Sequence, residues 1–350
     1  MTAVNAMLVV IVLSLLAYAL LAGADFGGGV WDLFAGVGGR GADEAGRDKP
    51  AQGEHSRAEE RRALISGSLG PVWEANHVWL IFVIVCVFSG FPGAFGTIAT
   101  ALELPLGFAL IGIVLRGAAY VYRAYGGGAA LPDRWWGRIF AGASVLTPFM
   151  LGVSGAALAT GTLGPNSSPS EPFRSPFALM AGALAVVVTA FLAAVYLCHD
   201  AAQSPATRHL VADFRRRAMG AAVASGAIAA AMLPFFYRDA PVVAARFTER
   251  SIPFAVVSAV CGTAGLLVLW QERYVLARVT AAAAVVGVLG GWAAAQYPDL
   301  LVGVATATQA AAAPESMDAL LIAMCLGMAV ILPSFYLLLK VFNAPVVEDH

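Results

Sequence analysis

Long apolar runs separated by short polar breaks dominate the chain. Nine runs, at about 4–25, 72–91, 97–122, 138–161, 176–198, 217–237, 252–270, 276–297 and 318–342, each have the length a helix needs to cross an apolar layer of about 30 Å. The breaks carry helix-stopping residues: GFPG at 90–93, GPNSSPSEP at 164–172, YPD at 297–299 and AAAPES at 311–316. The pattern predicts an all-α polytopic membrane protein, about nine transmembrane helices in a bundle, forming one integral membrane domain over 1–350. The one long polar segment, 36–63, is rich in Gly, Ala, Asp, Glu and Arg and is expected to be a flexible loop. No fixed-period repeat is visible.

Composition agrees. Of 350 residues, 59% are hydrophobic and 12% charged, against roughly 25% charged in soluble domains, and the mean hydropathy is +0.77. The first run has no basic segment before it and is long enough to remain as a span, so no cleavable signal peptide is expected. Cys86, Cys198, Cys261 and Cys325 stand singly in apolar runs, as small core residues do, and not as a disulfide framework or zinc site. A net charge of −1 gives no reason to expect a nucleic-acid partner.

The distribution of charge matters more than its total. Segment 36–63 and the loops after spans three, five and seven, with Lys340, collect sixteen of the 21 Lys and Arg residues. The opposite side holds Arg174, Arg238, Arg246 and Arg250, and Arg116 lies within span three. Basic residues favour the cytoplasmic side, which predicts the N-terminus outside and the C-terminus inside. An odd number of spans requires the ends to lie on opposite sides, so count and charge agree.

Ionisable residues at membrane depth are costly and tend to mark ion, proton or substrate routes. Here they are Asp25 and Asp32 near the inner end of span one, Glu74 and His77 entering span two, and Glu103 and Arg116 in span three. Glu74 and His77 are three apart and share a helix face. An acid and an imidazole so placed can pass protons once partly desolvated; they can equally pair with each other, or with Arg116, as structural polar contacts. Glu74–His77 is one E-x-x-H step, and a di-iron site needs a second that the chain lacks. His77 or His199 would suit an axial haem position, but a lone helical histidine is more often simply hydrogen-bonded. GVGGRG at 36–41 follows a membrane helix instead of a strand and reads as loop. Trp73, Trp79, Trp135 and Trp136 lie near predicted inner ends, as an interfacial aromatic belt does.

Three stretches carry a resemblance. GADFGGGVWDL (23–33) resembles the G-F-D-x-G-x-G end of the first helix in subunit II of cytochrome bd-type quinol oxidases. GPVWEANHVWLI (70–81) resembles that family's P-x-W-[DE]-x-N-x-V-W-L-I segment, and ALELPLGFALIGIVLRGAAYVYR (101–123) its third helix. Motif-level likeness covers about the first 125 residues; beyond them only topology corresponds. The resemblance implies a multi-pass protein of the bacterial cytoplasmic membrane, part of a quinol-oxidising, oxygen-reducing complex and not catalytic alone. Haems b and d would reside in a haem-bearing subunit I, with quinol as the substrate of the complex and no cofactor or metal in this chain. Its surroundings would be subunit I, membrane lipid and, in some complexes, a small single-helix subunit.

Residue by residue, the resemblance makes Glu74 the proton-route acid and Asp25 the helix-one aspartate, with His77 a helper; Tyr122, beside Val121, is a further route candidate. Trp73, Trp79, Asn76 and Arg116 become candidates for lining an oxygen or quinone route or for packing, Trp79 standing where oxygen access is placed. Two departures appear. The family carries an acid between the aromatic residues after the helix-three arginine, where this chain has Val121, and Glu103 stands where a neutral or aromatic residue is expected. Glu103 and Val121 are eighteen residues apart, about 27 Å along a helix. Glu103 is therefore expected to be an outer-half acid and not a substitute, with Tyr120 or Tyr122 and water bridging at Val121. A different class, a proton-coupled secondary transporter, would also show intramembrane acids, but the paired broken helices common in such proteins are not evident.

Overall fold

The computed structural model describes residues 2–35, 50–69, 73–125 and 133–342. Thirteen helices follow in chain order: α1 (Ala3–Leu33), α2 (Pro50–Leu69), α3 (Trp73–Gly90), α4 (Pro92–Ala101), α5 (Glu103–Tyr125), α6 (Asp133–Ala157), α7 (Pro176–Gln203), α8 (Val211–Asp239), α9 (Pro241–Arg246), α10 (Ile252–Trp270), α11 (Tyr274–Gln296), α12 (Ala307–Ala310) and α13 (Pro314–Phe342). A short antiparallel pair, β1 (Asp299–Leu301) with β2 (Ala305–Thr306), joins α11 to α12; Gly303, at φ +76, supplies the left-handed residue of its turn.

Among the described residues eight helices are long and apolar enough to cross a membrane, and Asn76–Gly90 is a shorter apolar helix. Each of the nine predicted runs is thus helical, with three differences. First, α1 runs eight residues past the expected end at 25, because its polar residues there are buried against neighbouring helices. Second, the third run is divided at Leu102 into α4 and α5. Pro105 has no N–H to offer the carbonyl of Ala101 four residues back, so the helix resets there.

Third, residues 50–63, expected as part of a flexible loop, belong to helix α2. Arg, Glu and Ala favour a helix, and Ala58, Arg61 and Ile65 form one buried stripe at helical spacing. Ile65 packs with Leu197, Leu210 and Phe214. Arg61 donates to the Asp213 carboxylate on α8 and, at 2.9 Å, to the carbonyl of Ala35. Polarity along the sequence suggested solvent; the buried partners lie far away in the chain.

Helix α1 packs on α3, α6 and α7, and α7 in turn on α6, α8 and α11. Around this interior the outward faces are apolar: Leu110, Val114, Val223, Val260, Val275 and Leu326 are all more than half exposed, as a lipid-facing surface requires. The ends are polar and separate. One gathers Arg61, Arg62, Arg123, Arg215 and Arg216 with Asp32, Asp213 and Glu272. The other gathers Arg174, Arg238 and Arg246 with Glu171, Asp239 and Asp299. None of these arginine–carboxylate pairs joins one set to the other.

Candidate functional site

The glycine run of α1 determines how closely the helices converge. A Cβ on Gly27 would lie 1.9 Å from the carbonyl oxygen of Thr189 on α7, and one on Gly29 would lie 2.1 Å from Ser144 Oγ on α6. Only glycine permits this approach. It brings the backbone and side chain of Asp25 into a pocket between α1, α3, α5 and α6.

Four side chains from these helices meet there. Asn76 of α3, 5% exposed, donates through Nδ2 to the Asp25 carboxylate. Arg116 of α5, 3% exposed, donates through Nη2 to the Asp25 carbonyl at 3.0 Å and through Nε to Ser144 Oγ at 3.2 Å. Ser144 Oγ in turn donates to the Phe140 carbonyl at 2.7 Å. The Arg116 guanidinium also lies over two rings, 4.9 Å from the Phe26 centroid and 5.0 Å from that of Phe140. A buried charge is costly unless its surroundings compensate it, and here two oxygen acceptors and two ring faces do so. Next to it the His77 ring stands 5.8 Å from that of Tyr18 and 6.1 Å from that of Phe26. The Tyr18 hydroxyl is buried with no hydrogen-bond partner among the described residues. The Asp25 carboxylate, the His77 imidazole and the Tyr18 hydroxyl thus lie around one cluster, in which the Asn76 amide orients the carboxylate.

Two turns further along α1, Asp32 is 7% exposed and faces Arg123 Nη1 at 3.1 Å and Arg62 Nε at 3.7 Å. Arg123 belongs to α5 and Arg62 to α2, so this acid joins three helices.

The remaining expected site residues scatter. Trp79 packs with Ile113 and Leu151 against Tyr18, Ala22 and Phe26, lining the same cluster on its apolar side. Tyr122 does not join the cluster: it is 46% exposed and stacks on Trp136 with centroids 4.4 Å apart. Glu103 is exposed in the first turn of α5, where the helix dipole favours an acid. Trp73 and Glu74 open α3, and their side chains lie outside the described residues. His199 meets Gln203 at 3.2 Å on an exposed helix end, and His209 meets Glu60 at 2.7 Å. Among the described residues no group of three His, Cys, Asp or Glu side chains could hold a metal ion. Sequence reasoning missed Ser144, Phe140 and Tyr18, which look like ordinary members of apolar helices; only the glycine run opposite Ser144 hints at a close approach.

Over residues 4–342 the chain matches the family described as cytochrome bd terminal oxidase subunit II. The chain belongs to this family. Cytochrome bd ubiquinol oxidase subunit 2 of Bacillus subtilis (strain 168) is 34% identical over 94 residues, 27% of this chain and 27% of the relative. The putative cytochrome bd menaquinol oxidase subunit II of the same organism is 28% identical over 105 residues, 30% of this chain and 25% of the relative. The aligned stretches thus span about a quarter of each relative's length. The structure of bd oxidase from Geobacillus thermodenitrificans superposes with a TM-score of 0.73 over 98% of this chain and 99% of that one, at 22% identity, a likeness of fold. Membership of the bd subunit II family and the spanning helices make this a multi-pass protein of the bacterial inner membrane. The transporter reading has no corresponding support.

Proposed function

We propose that this chain is the haem-free subunit of a bd-type quinol:oxygen oxidoreductase and that it carries protons from the cytoplasm toward the partner subunit's oxygen-reducing centre. Haems b and d, held by subunit I, would supply the electron transfer and oxygen chemistry. The observation that carries the reading is the cluster of Asp25, Asn76, His77 and Arg116, with Asn76 and Arg116 buried, in a member of the bd subunit II family. Reducing oxygen to water consumes protons, and a subunit without redox chemistry contributes by delivering them.

The residues have distinct parts in this. The concentration of arginine at the Asp32 end supports a cytoplasmic location for that end, with the N-terminus outside. Glu74, at the start of α3, collects the proton. Asp25 holds it at the carboxylate that Asn76 orients, and His77 assists. Arg116 supplies a fixed positive charge that keeps the carboxylate from losing its place in an apolar surrounding. Trp79, on the apolar side of the same cluster, borders an oxygen route. Arg116 donates to two oxygen acceptors and lies over two rings, and His77 is packed by two aromatic rings, an arrangement suited to positioning.

The test is made on the purified complex. It should show haem absorption, and replacing His77 and His199 together should leave that spectrum intact. Glu74→Gln keeps shape and hydrogen bonding but cannot ionise; proton uptake from the cytoplasmic side should fall of order 10²-fold at unchanged haem content. A chain that purifies alone and colourless, or a Gln variant with full uptake, overturns the proposal.

A further inference from the structure

Asp25 and Asp32 are seven residues apart on α1, and Arg116 and Arg123 are seven apart on α5. Seven residues are close to two turns, so each pair shares a helix face with about 10 Å between its members. The two helices therefore form two rungs: Asp25 with Arg116, through its carbonyl, and Asp32 with Arg123, through its carboxylate. One ring joins the rungs. The Phe140 centroid is 5.0 Å from the Arg116 guanidinium carbon and 5.3 Å from that of Arg123. Phe140 thus lies within cation–π distance of both guanidinium groups. Phe140 is 2% exposed, and its carbonyl accepts from Ser144, whose Oγ receives Arg116 Nε.

We infer that Asp32 is a positioning residue for the Asp25–Arg116 pair, acting through Arg123 and the Phe140 ring. The inference rests on the proton-carrying reading above. Arg123 is 26% exposed along its side chain, so without a partner it has water within reach. The Asp32 carboxylate holds it inward, against the ring. A ring so held stays against Arg116, and Arg116 keeps the Asp25 carbonyl and Ser144 in register. Arg62 adds a second cation to Asp32 from α2, which ties the positioning to the helix that covers this end. The part assigned to Asp32 is electrostatic: it orients the pair whose Asp25 carboxylate carries the proton and need not carry one itself.

The assay is cytoplasmic-side proton uptake by the full complex in proteoliposomes, with haem per complex as the measure of assembly. Asp32→Asn and Arg123→Gln should each lower uptake roughly tenfold, the double variant should be no slower than either, and Asp32→Glu should recover most of the rate, as expected of contacting residues that act as a unit. In a Phe140→Leu background, Asp32→Asn should change uptake by less than about twofold, since the link is already gone. An equally large Asp32→Asn effect in that background, additive losses, or full uptake in Asp32→Asn would each overturn the inference. Asp25→Asn in the same assay separates the two levels: unchanged uptake there brings down the proton-carrying reading, while its loss beside a normal Asp32→Asn brings down this inference alone. If haem content falls in Asp32→Asn but not in Asp32→Glu, uptake per haem gives the same comparison.

Discussion

Gly27→Ala adds a single methyl group, and helix propensity and packing disagree about its sign. Inside a helix, alanine is more favourable than glycine by about 1 kcal/mol, so propensity alone predicts a gain. The structure places the new carbon 1.9 Å from the Thr189 carbonyl oxygen, 2.4 Å from its carbonyl carbon and 2.7 Å from Ala193 Cβ. Relieving the closest contact to even 3 Å needs a retreat of about 1 Å, and the obstacle is helix backbone, which cannot rotate aside. Overpacking costs about 1–3 kcal/mol where side chains can adjust. With backbone as the obstacle the upper end applies, and the propensity gain reduces it to a net loss of about 2 kcal/mol. The retreat also carries Asp25, two residues away, and a 3.0 Å hydrogen bond to Arg116 does not survive another ångström. Membrane complexes commonly unfold irreversibly, so the measurement is the rate of heat inactivation in detergent. Gly27→Ala should inactivate about 30-fold faster if the loss falls on the unfolding barrier. Gly226→Ala is the control: nothing lies within 4 Å of its Cβ, and it should be neutral or up to about 1 kcal/mol more stable. A Gly27 variant as robust as the control would refute the close approach of α1 to α7.

Three further outcomes are expected. Cysteine labelling of intact cells should modify substituted positions near Asn166 and spare those near Gln52; the reverse pattern would invert the orientation and remove the cytoplasmic argument for Glu74. Arg61→Met leaves Asp213 with Arg216 alone and should cost α2 about 3 kcal/mol of docking, which limited proteolysis would register as roughly 10²-fold faster cleavage within 50–69; unchanged protection would show that Ile65 and Ala58 suffice. Glu103→Gln removes an exposed first-turn acid worth about 0.3–1 kcal/mol to its helix and should leave proton uptake within twofold of normal, whereas a loss like that of Glu74→Gln would refute its distance from the route.

The membrane runs were legible because apolar length is a direct physical requirement, met within each run by itself. The same logic mislocated the end of α1: Asp25, Asp32 and the glycines between them look like the start of a loop, yet Asp32 and the glycines are buried, and the partners of this stretch sit on α2, α3, α5, α6 and α7. Helix α2 was hidden for a related reason, its buried stripe being only three residues among many charges. The break at Leu102 had a visible signal in Pro105. At the site, Asp25 and Arg116 could be named from one sequence, because a charge in an apolar run needs an explanation, and Asn76 through the family resemblance. Phe140, Ser144 and Asp213 could not, because a single sequence carries no register between helices and nothing distinguishes these residues from ordinary apolar, small or solvated ones.

Val121 shows what that missing register changes. Along the sequence it stands where an acid of the family pattern would be, and the absence looks like a gap to be bridged by a tyrosine and water. In the structure the Val121 side chain is 46% exposed, and its neighbour Tyr122 is exposed to the same extent while stacking on Trp136. An acid at position 121 would therefore project from the outward surface of α5 and away from Asp25. Two residues on, Arg123 turns inward and meets Asp32, a carboxylate supplied by α1 at the same end of the bundle. This end of the bundle thus has a buried acid in Asp32 without one at 121, while Glu103 lies at the far end of the same run. A carboxylate reintroduced by Val121→Glu should accordingly leave the Asp25–Arg116 pair undisturbed, and any effect it has on the complex must come through whatever faces the outer surface of α5.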